Sequence, residues 1–186
     1  MADVRFLDVR HLPADADTAE VALAMTEDEF RRFYDRTARG LWAYLSRVSG
    51  NRQLADDLLQ EAYYRLLRTT VVFENEAHRR NYLYRIATNL AHDMRRAAKP
   101  SFDADVELSN IAAPAPHADA EARADVRRAL GRLKPRERAL LWLAYAHGST
   151  HSEIAGVLGL KTSSIKLLLF RARRKLARLL HHQAAP

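Results

Sequence analysis

An all-α chain folded as two small helical domains joined by an extended linker is what this sequence predicts, on three observations. Apolar residues recur at three- and four-residue spacing in every patterned stretch, and no run alternates over the length of a strand. Charge is divided along the chain: up to Asp119 there are 16 Lys and Arg against 19 Asp and Glu, and beyond it 14 against 4. Between the two regimes lies "KPSFDADVELSNIAAPAPHADA", with scattered acids, three prolines and little helical patterning. A length of 186 residues, 48% of them apolar, is enough to bury such cores.

Residues 1–25, including the apolar patch "VRFLDV", hold no lasting periodicity and read as a variable, loosely ordered extension. Because "TEDEF", a good helix opening, follows Met25 at once, the residues before it read as an optional extension; Thr26 is placed to cap a helix and Glu29 to complete its capping box. Phe30, Phe33, Tyr34, Leu41, Tyr44, Leu45 and Val48 mark the apolar side of this first helix, and Gly50 ends it. A second helix begins near Asn51 with a buried stripe of Leu54, Leu58, Ala62 and Leu66, opposite an acidic and polar face. "TTVVFENEAHRR" reads as a loop, and "NYLYRIATNLAHDMRRAA" as a third helix buried through Leu83, Ile86, Ala87 and Leu90. Residues 26–98 thus form one domain and residues 99–119 the linker.

The second domain, residues 120–181, opens with the helices "EARADVRRALGRL" and "PRERALLWLAYAHG", divided at Lys134 and Pro135 and stopped by Gly148; residues 182–186 are a tail. Thr150 and Glu153 then form a capping box that launches a short helix ending at Gly159, and a second begins near Thr162 or Ser163. Small Ala155 at the close approach, Gly159 in the turn and β-branched Ile165 in the shared core are what a DNA-binding helix-turn-helix requires at this spacing. A structural helical hairpin has the same pattern, but the basic run "RARRKLAR" that follows favours the DNA reader. Lys161, Thr162, Ser163, Lys166 and Leu167 then face base edges or phosphates, while Ile165, Leu169 and Leu176 face inward. Phe170 joins the outward set, and Arg171, Arg173, Arg174 and Lys175 are in reach of phosphates, which position a protein without specifying sequence.

The order of these parts resembles a bacterial extracytoplasmic-function sigma factor of the sigma-70 family, from about residue 27 to 180. "LADDLLQEAYYRL" is similar to the helix that grips the clamp helices of RNA polymerase, which implies core-binding roles for Asp56, Asp57, Gln60 and Glu61. The alternative is that the two aspartates merely solvate the helix; neighbours about 100° apart on a helix do not form a catalytic pair. "NYLYRIATNLAHDMRR" is similar to the promoter-melting helix, which implies minus-ten contacts by Tyr82, Arg85, Asn89, His92, Arg95 and Arg96. Tyr82 stands where the family typically has tryptophan, and packing in a core and stacking on a base are equally open to it. "TTVVFENEA" resembles the family loop that captures an unstacked base. Residues 120–181 resemble region four, which reads the minus-35 element. Acidic Asp103, Asp105 and Glu107 fit a connector that threads the polymerase cleft, and a solvated linker explains them almost as well.

The implied partners are RNA polymerase core, through its beta-prime clamp helices and beta flap, promoter DNA, and an anti-sigma factor; the resemblance calls for no cofactor, metal or catalytic residue. One departure stands out: the run "IKLLLF" sets Leu167 and Leu168 where relatives carry small or charged residues. Leu167 suits a thymine methyl, or the pair forms a strip that an inhibitory protein covers. That strip also fits a decoy that sequesters an anti-sigma factor without binding promoters. A free-standing repressor would not need the acidic second helix, and an enzyme built on His147 and His151 or on His181 and His182 lacks a carboxylate orienter. With no cysteine, no apolar run of roughly 20 residues and no signal-peptide pattern, the expected place is the cytoplasm, without membrane insertion.

Overall fold

The computed structural model describes residues 25–97 and 117–181, and all their regular elements are helices. The first domain holds α1 (Glu27–Ser49), α2 (Arg52–Leu67) and α3 (Glu76–Ala97). The second holds α4 (His117–Gly131), α5 (Pro135–Tyr145), α6 (His151–Leu158) and α7 (Thr162–His181). The expectations for residues 1–24, for Asp103, Asp105 and Glu107, and for residues 182–186 lie outside the described residues.

Helix α1 starts as expected: Thr26 and Glu29 form the capping box, and Gly50 closes the helix with a left-handed backbone at φ 76°. Asn51 caps α2 through Leu54 N. Two expectations fail at this end of the domain. Met25 is not tail but core, only 6% exposed, and Tyr34, expected inside, is 39% exposed because α1 turns that side toward solvent. A third concerns α3, which begins at Glu76, inside the expected loop. Asn75 supplies the start signal, its side chain accepting from His78 N at 2.8 Å. Arg36 of α1 then pairs with Glu76 through two 3.0 Å hydrogen bonds, which ties the new first turn of α3 to α1. Likewise α4 is entered at His117, inside the stretch expected to be linker.

The core of the first domain is aromatic and hydroxyl-linked. Tyr44 and Phe33 are fully buried with Leu41, Leu45, Leu66 and Leu83. Thr37 and Thr88 each donate to a carbonyl one turn back, so Tyr63 and Tyr44 act as donors to those hydroxyls, at 2.6 and 2.7 Å. The second domain packs aliphatic residues instead: Leu140, Leu143, Ile154 and Ile165 are fully buried around small Ala139, Ala155 and Ala172. Lys175 of α7 is clamped to Glu137 of α5 at 2.7 Å.

The two domains pack on each other, α5 against α1 and α6 against α3. The buried apolar residues of the two domains run together into one cluster, and polar and cationic contacts also cross the seam. Buried Arg138 of α5 donates to the Val48 carbonyl at the end of α1 (3.2 Å) and to Gly131 O (3.1 Å). Arg47 lies 4.4 Å over the ring of Trp142, Asn81 of α3 donates to Glu153 of α6 at 2.8 Å, and His147 rests 4.4 Å from the ring of Tyr84. Glu153 therefore has two tasks, capping α6 and holding α3; the Asn81 hydrogen bond, followed by those from Thr150, keeps its carboxyl below the usual range.

Candidate nucleic-acid interface

The recognition element forms as the residues dictate. Thr150 and Glu153 cap α6, Gly159 takes the left-handed turn at φ 62°, and α7 begins at Thr162. Ala155 is 4% exposed and Ile165 is fully buried, so the two helices meet through a small residue and a β-branched one. That contact turns outward all nine residues expected to face DNA from α7 and its approach: Lys161, Thr162, Ser163, Lys166, Leu167, Phe170, Arg171, Arg173 and Arg174 are all exposed. Lys175 is not among them, because Glu137 holds its ammonium at 2.7 Å.

The apolar strip is differently composed from the expected pair. Leu168 packs against the core, whereas Leu167 and Phe170 are 50% and 51% exposed. Three residues apart on a helix, they form one outward patch amid Lys166, Arg171 and Arg174. Leu168 is turned inward because it lies three residues after Ile165 on the buried side.

Helix α3 gathers the second set. Tyr82, Arg85, Asn89, His92 and Arg96 follow one another at intervals of three and four and share a face, with Arg95 beside its last turn. Asn89, His92, Arg95 and Arg96 are exposed. Tyr82 is half-buried, its hydroxyl 3.1 Å from Thr69 Oγ1 and its ring edge-on to Phe73 at 5.4 Å. Arg85 covers the ring at 4.8 Å, so a base could stack there only by displacing that guanidinium. The seam contact of Tyr84 lies on another side of α3, whereas Asn81, one turn before Arg85, borders the stripe; Asn89, His92 and Arg96 stay exposed. In the loop ahead of α3, Val72 is 88% exposed while Phe73 folds back onto Tyr82 and His78.

On α2, Asp57 and Gln60 are exposed, and Glu61 is half-buried and paired with Arg65 at 2.6 Å. Asp56 accepts from the Trp42 indole at 2.7 Å, a structural duty that sequence reasoning missed because the partner lies 14 residues away on another helix. Tyr64, 52% exposed and beneath the guanidinium of Arg68, extends this face and was not anticipated either.

Residues 33–100 match the family description Sigma-70 region 2, and residues 123–176 match Sigma-70, region 4. The chain is 31% identical over 171 residues to the ECF RNA polymerase sigma factor SigM of Mycobacterium tuberculosis, covering 92% of this chain and 87% of that one. The chain belongs to the ECF sigma factors. It is also 31% identical over 169 residues to SigE of Mycolicibacterium smegmatis, matching 87% of this sigma factor but only 64% of the length of that relative. The fold is shared with RpoE in its complex with the anti-sigma factor NepR from Bartonella quintana (TM-score 0.66, 24% identity, 83% of this chain and 98% of that chain). It is shared equally with CnrH in its complex with the cytosolic domain of CnrY (TM-score 0.62, 24% identity, 86% and 92%). Among the described residues, no helix of this sigma factor is long and apolar enough to cross a membrane.

Proposed function

We propose that the protein binds RNA polymerase core and directs it to promoters during transcription initiation. The observation that carries this reading is the separation of three chemically distinct exposed faces: acidic and polar on α2, amide and guanidinium on α3, basic with an apolar patch on α7. The α2 face suits the clamp helices, with Asp57, Gln60 and Glu61 as direct contacts and Asp56 held by Trp42. The beta flap is proposed to engage the second domain. The α3 stripe takes the minus-ten element, α7 takes the minus-35 element, and Arg171, Arg173 and Arg174 supply phosphate contacts. An anti-sigma factor is the proposed regulator, in line with the complex of the sigma factor RpoE with the anti-sigma factor NepR, whose fold this chain shares. The exposed apolar patch of Leu167 and Phe170 would suit a decoy too, but the exposed basic residues of α7 around it and the α3 stripe support the promoter-binding reading.

The packed arrangement has to open for this task. Two elements about 25 base pairs apart are separated by roughly 85 Å of duplex at about 3.4 Å per pair. A compact body of roughly 140 residues is only about 35–40 Å across. The hydrogen bonds and arginine contacts of the seam ease opening, because water replaces their partners at little cost, while the apolar contact between the domains opposes it.

Run-off transcription with purified polymerase core tests the reading. Transcripts are expected with the wild type, and their absence at every promoter tried would refute it. Asp57→Lys is expected to abolish capture by core while circular dichroism stays helical; unchanged capture would remove α2 from the interface.

A further inference from the structure

Where the two domains meet, helices α1, α4, α5 and α7 line a half-open groove of about 420 Å³, within the range of sites that take up drug-sized bodies. Leu130, Leu141, Trp142, Tyr145 and Leu176 make it apolar, and Tyr145 is 62% exposed there. An exposed apolar surface bordered by polar residues is a mark of interaction sites. Arg47 and Arg173 also line it, neither is paired with a carboxylate among the described residues, and no lining residue is acidic.

The chain itself passes beside this groove. Burial, and after it the nearby charge of Arg95, holds the Arg138 guanidinium below its ordinary pKa, so the end of α3 lies close to a residue of the groove wall. The chain leaves α3 just past Arg95, at Ala97, and returns at His117, from where α4 carries it to groove-lining Arg127 in about 15 Å. Residues 98–116 join these points and can extend over roughly 60 Å, several times that rise. Their composition complements the groove. Phe102, Val106 and Leu108 are interleaved with Asp103, Asp105 and Glu107, and from Pro100 to Pro116 there is no lysine or arginine. Apolar side chains set among carboxylates match an apolar surface set among arginines.

We propose that residues 102–108 of the chain's own linker dock in this groove, with Phe102, Val106 and Leu108 on Leu141, Trp142, Tyr145 and Leu176, and the three carboxylates beside Arg47 and Arg173. Arg47 belongs to the first domain and Arg173 to the second, so the docked segment bridges the seam and holds the domains together. Being joined to the domains at both ends, the segment needs little intrinsic affinity, because a short tether supplies an effective concentration on the order of millimolar. The docking does not depend on the function proposed above.

The chain has no cysteine, so Ser109→Cys takes a nitroxide label at one position only, next to the proposed docking residues. In amide spectra of the full chain, the label is expected to broaden the signals of Leu141, Tyr145 and Leu176, and its reduction to restore them. The broadening is expected to be lost when Phe102→Ser, Val106→Ser and Leu108→Ser are combined, and lost again in Tyr145→Ser, made in the groove itself. Circular dichroism checks that the helices of both variants are intact. No broadening at the groove, or broadening that survives both sets of substitutions, would overturn the docking. Asp103→Asn, Asp105→Asn and Glu107→Gln together are expected to weaken the broadening; an unchanged effect would overturn the pairing of carboxylates with arginines. Small-angle scattering then reads the seam. A larger radius of gyration in the triple serine variant is expected, and an unchanged radius would overturn the bridging role.

Discussion

The two domains are both small helical packings, yet they fix their helices by different means. The first uses aromatic rings whose hydroxyls are pinned, Tyr63 to Thr37 and Tyr44 to Thr88, so that α1 is locked in register against α2 and α3. The second has no buried ring among its described residues: its core is aliphatic, with four buried alanines, as many as the first, and left-handed glycines at Gly148 and Gly159, so that short helices approach closely at a sharp turn. A helix that must present a long polar stripe, as α3 does, gains from directional bonds that resist sliding. A helix-turn-helix needs close approach, which small residues allow and rings would prevent.

The largest effect is expected from cutting the aliphatic core. Ile165→Ala should cost about 2–5 kcal/mol, because Ile165 is fully buried where α6 meets α7. Denaturant melts should show the second domain lost first, with capture by polymerase core retained; simultaneous loss of both domains would mean that the seam couples them into one cooperative unit.

Next come the glycines, which separate backbone strain from packing. Gly159→Ala should destabilise by about 1–2 kcal/mol, since φ 62° is unfavourable for any side chain although no atom lies within 4 Å of the added Cβ. Gly156→Ala, inside α6 and also in open space, should stabilise by about 0.5–1 kcal/mol. Thermal midpoints moving in the same direction for both variants would contradict the turn geometry.

In the first domain Tyr63→Phe should cost about 0.5–1.5 kcal/mol through the lost hydrogen bond to Thr37. Burial raises the Tyr63 and Tyr84 phenols from 10.0 to about 12, and Tyr44 rises as well. The fold therefore disfavours the tyrosinates: this contribution is complete below pH 10 and is lost as pH rises toward 12. Absorbance at the tyrosinate band, followed with helicity, should show these rings ionising only as the first domain melts; ionisation without melting would place them outside the core.

The smallest effect is expected at the seam. Burial, assisted by Arg80, holds His147 below its ordinary value of 6.5, so its contribution is complete above that pH and is lost as pH falls below it. Small-angle scattering should show a modest opening on mild acidification, and His147→Gln should blunt it. An unchanged radius in the wild type would show that the Tyr84–His147 contact does not hold the domains together.

Periodicity and caps made most of the helices legible, because those signals are local: Thr26 with Glu29, Asn51, Pro135, and Thr150 with Glu153 satisfy backbone groups within one turn of themselves. The start of α3 was missed although Asn75 is an equally local cap, because the apolar pattern begins only at Leu83 and the first turn is held by distant Arg36. The outward set on α7 was legible from the helix-turn-helix spacing, and so was the inward turn of Leu168, three residues after Ile165, although the sequence reading grouped it with Leu167. The partners of Asp56 and Lys175 followed the same rule: a side chain's duty depends on what another helix places opposite it.

By itself, then, the sequence determined the helical class, most of the helix boundaries, the division of charge and the family pattern, since each depends on interactions spanning a few residues or on composition. Only the tertiary structure decided the seam. Arg138 is one more arginine in a basic domain until α1 brings the Val48 carbonyl to it, and Ser46 is one more helical serine until burial strips its hydroxyl of water. Desolvation of a polar group depends on everything packed around it, and that is a property of the assembled fold and of no short stretch of chain.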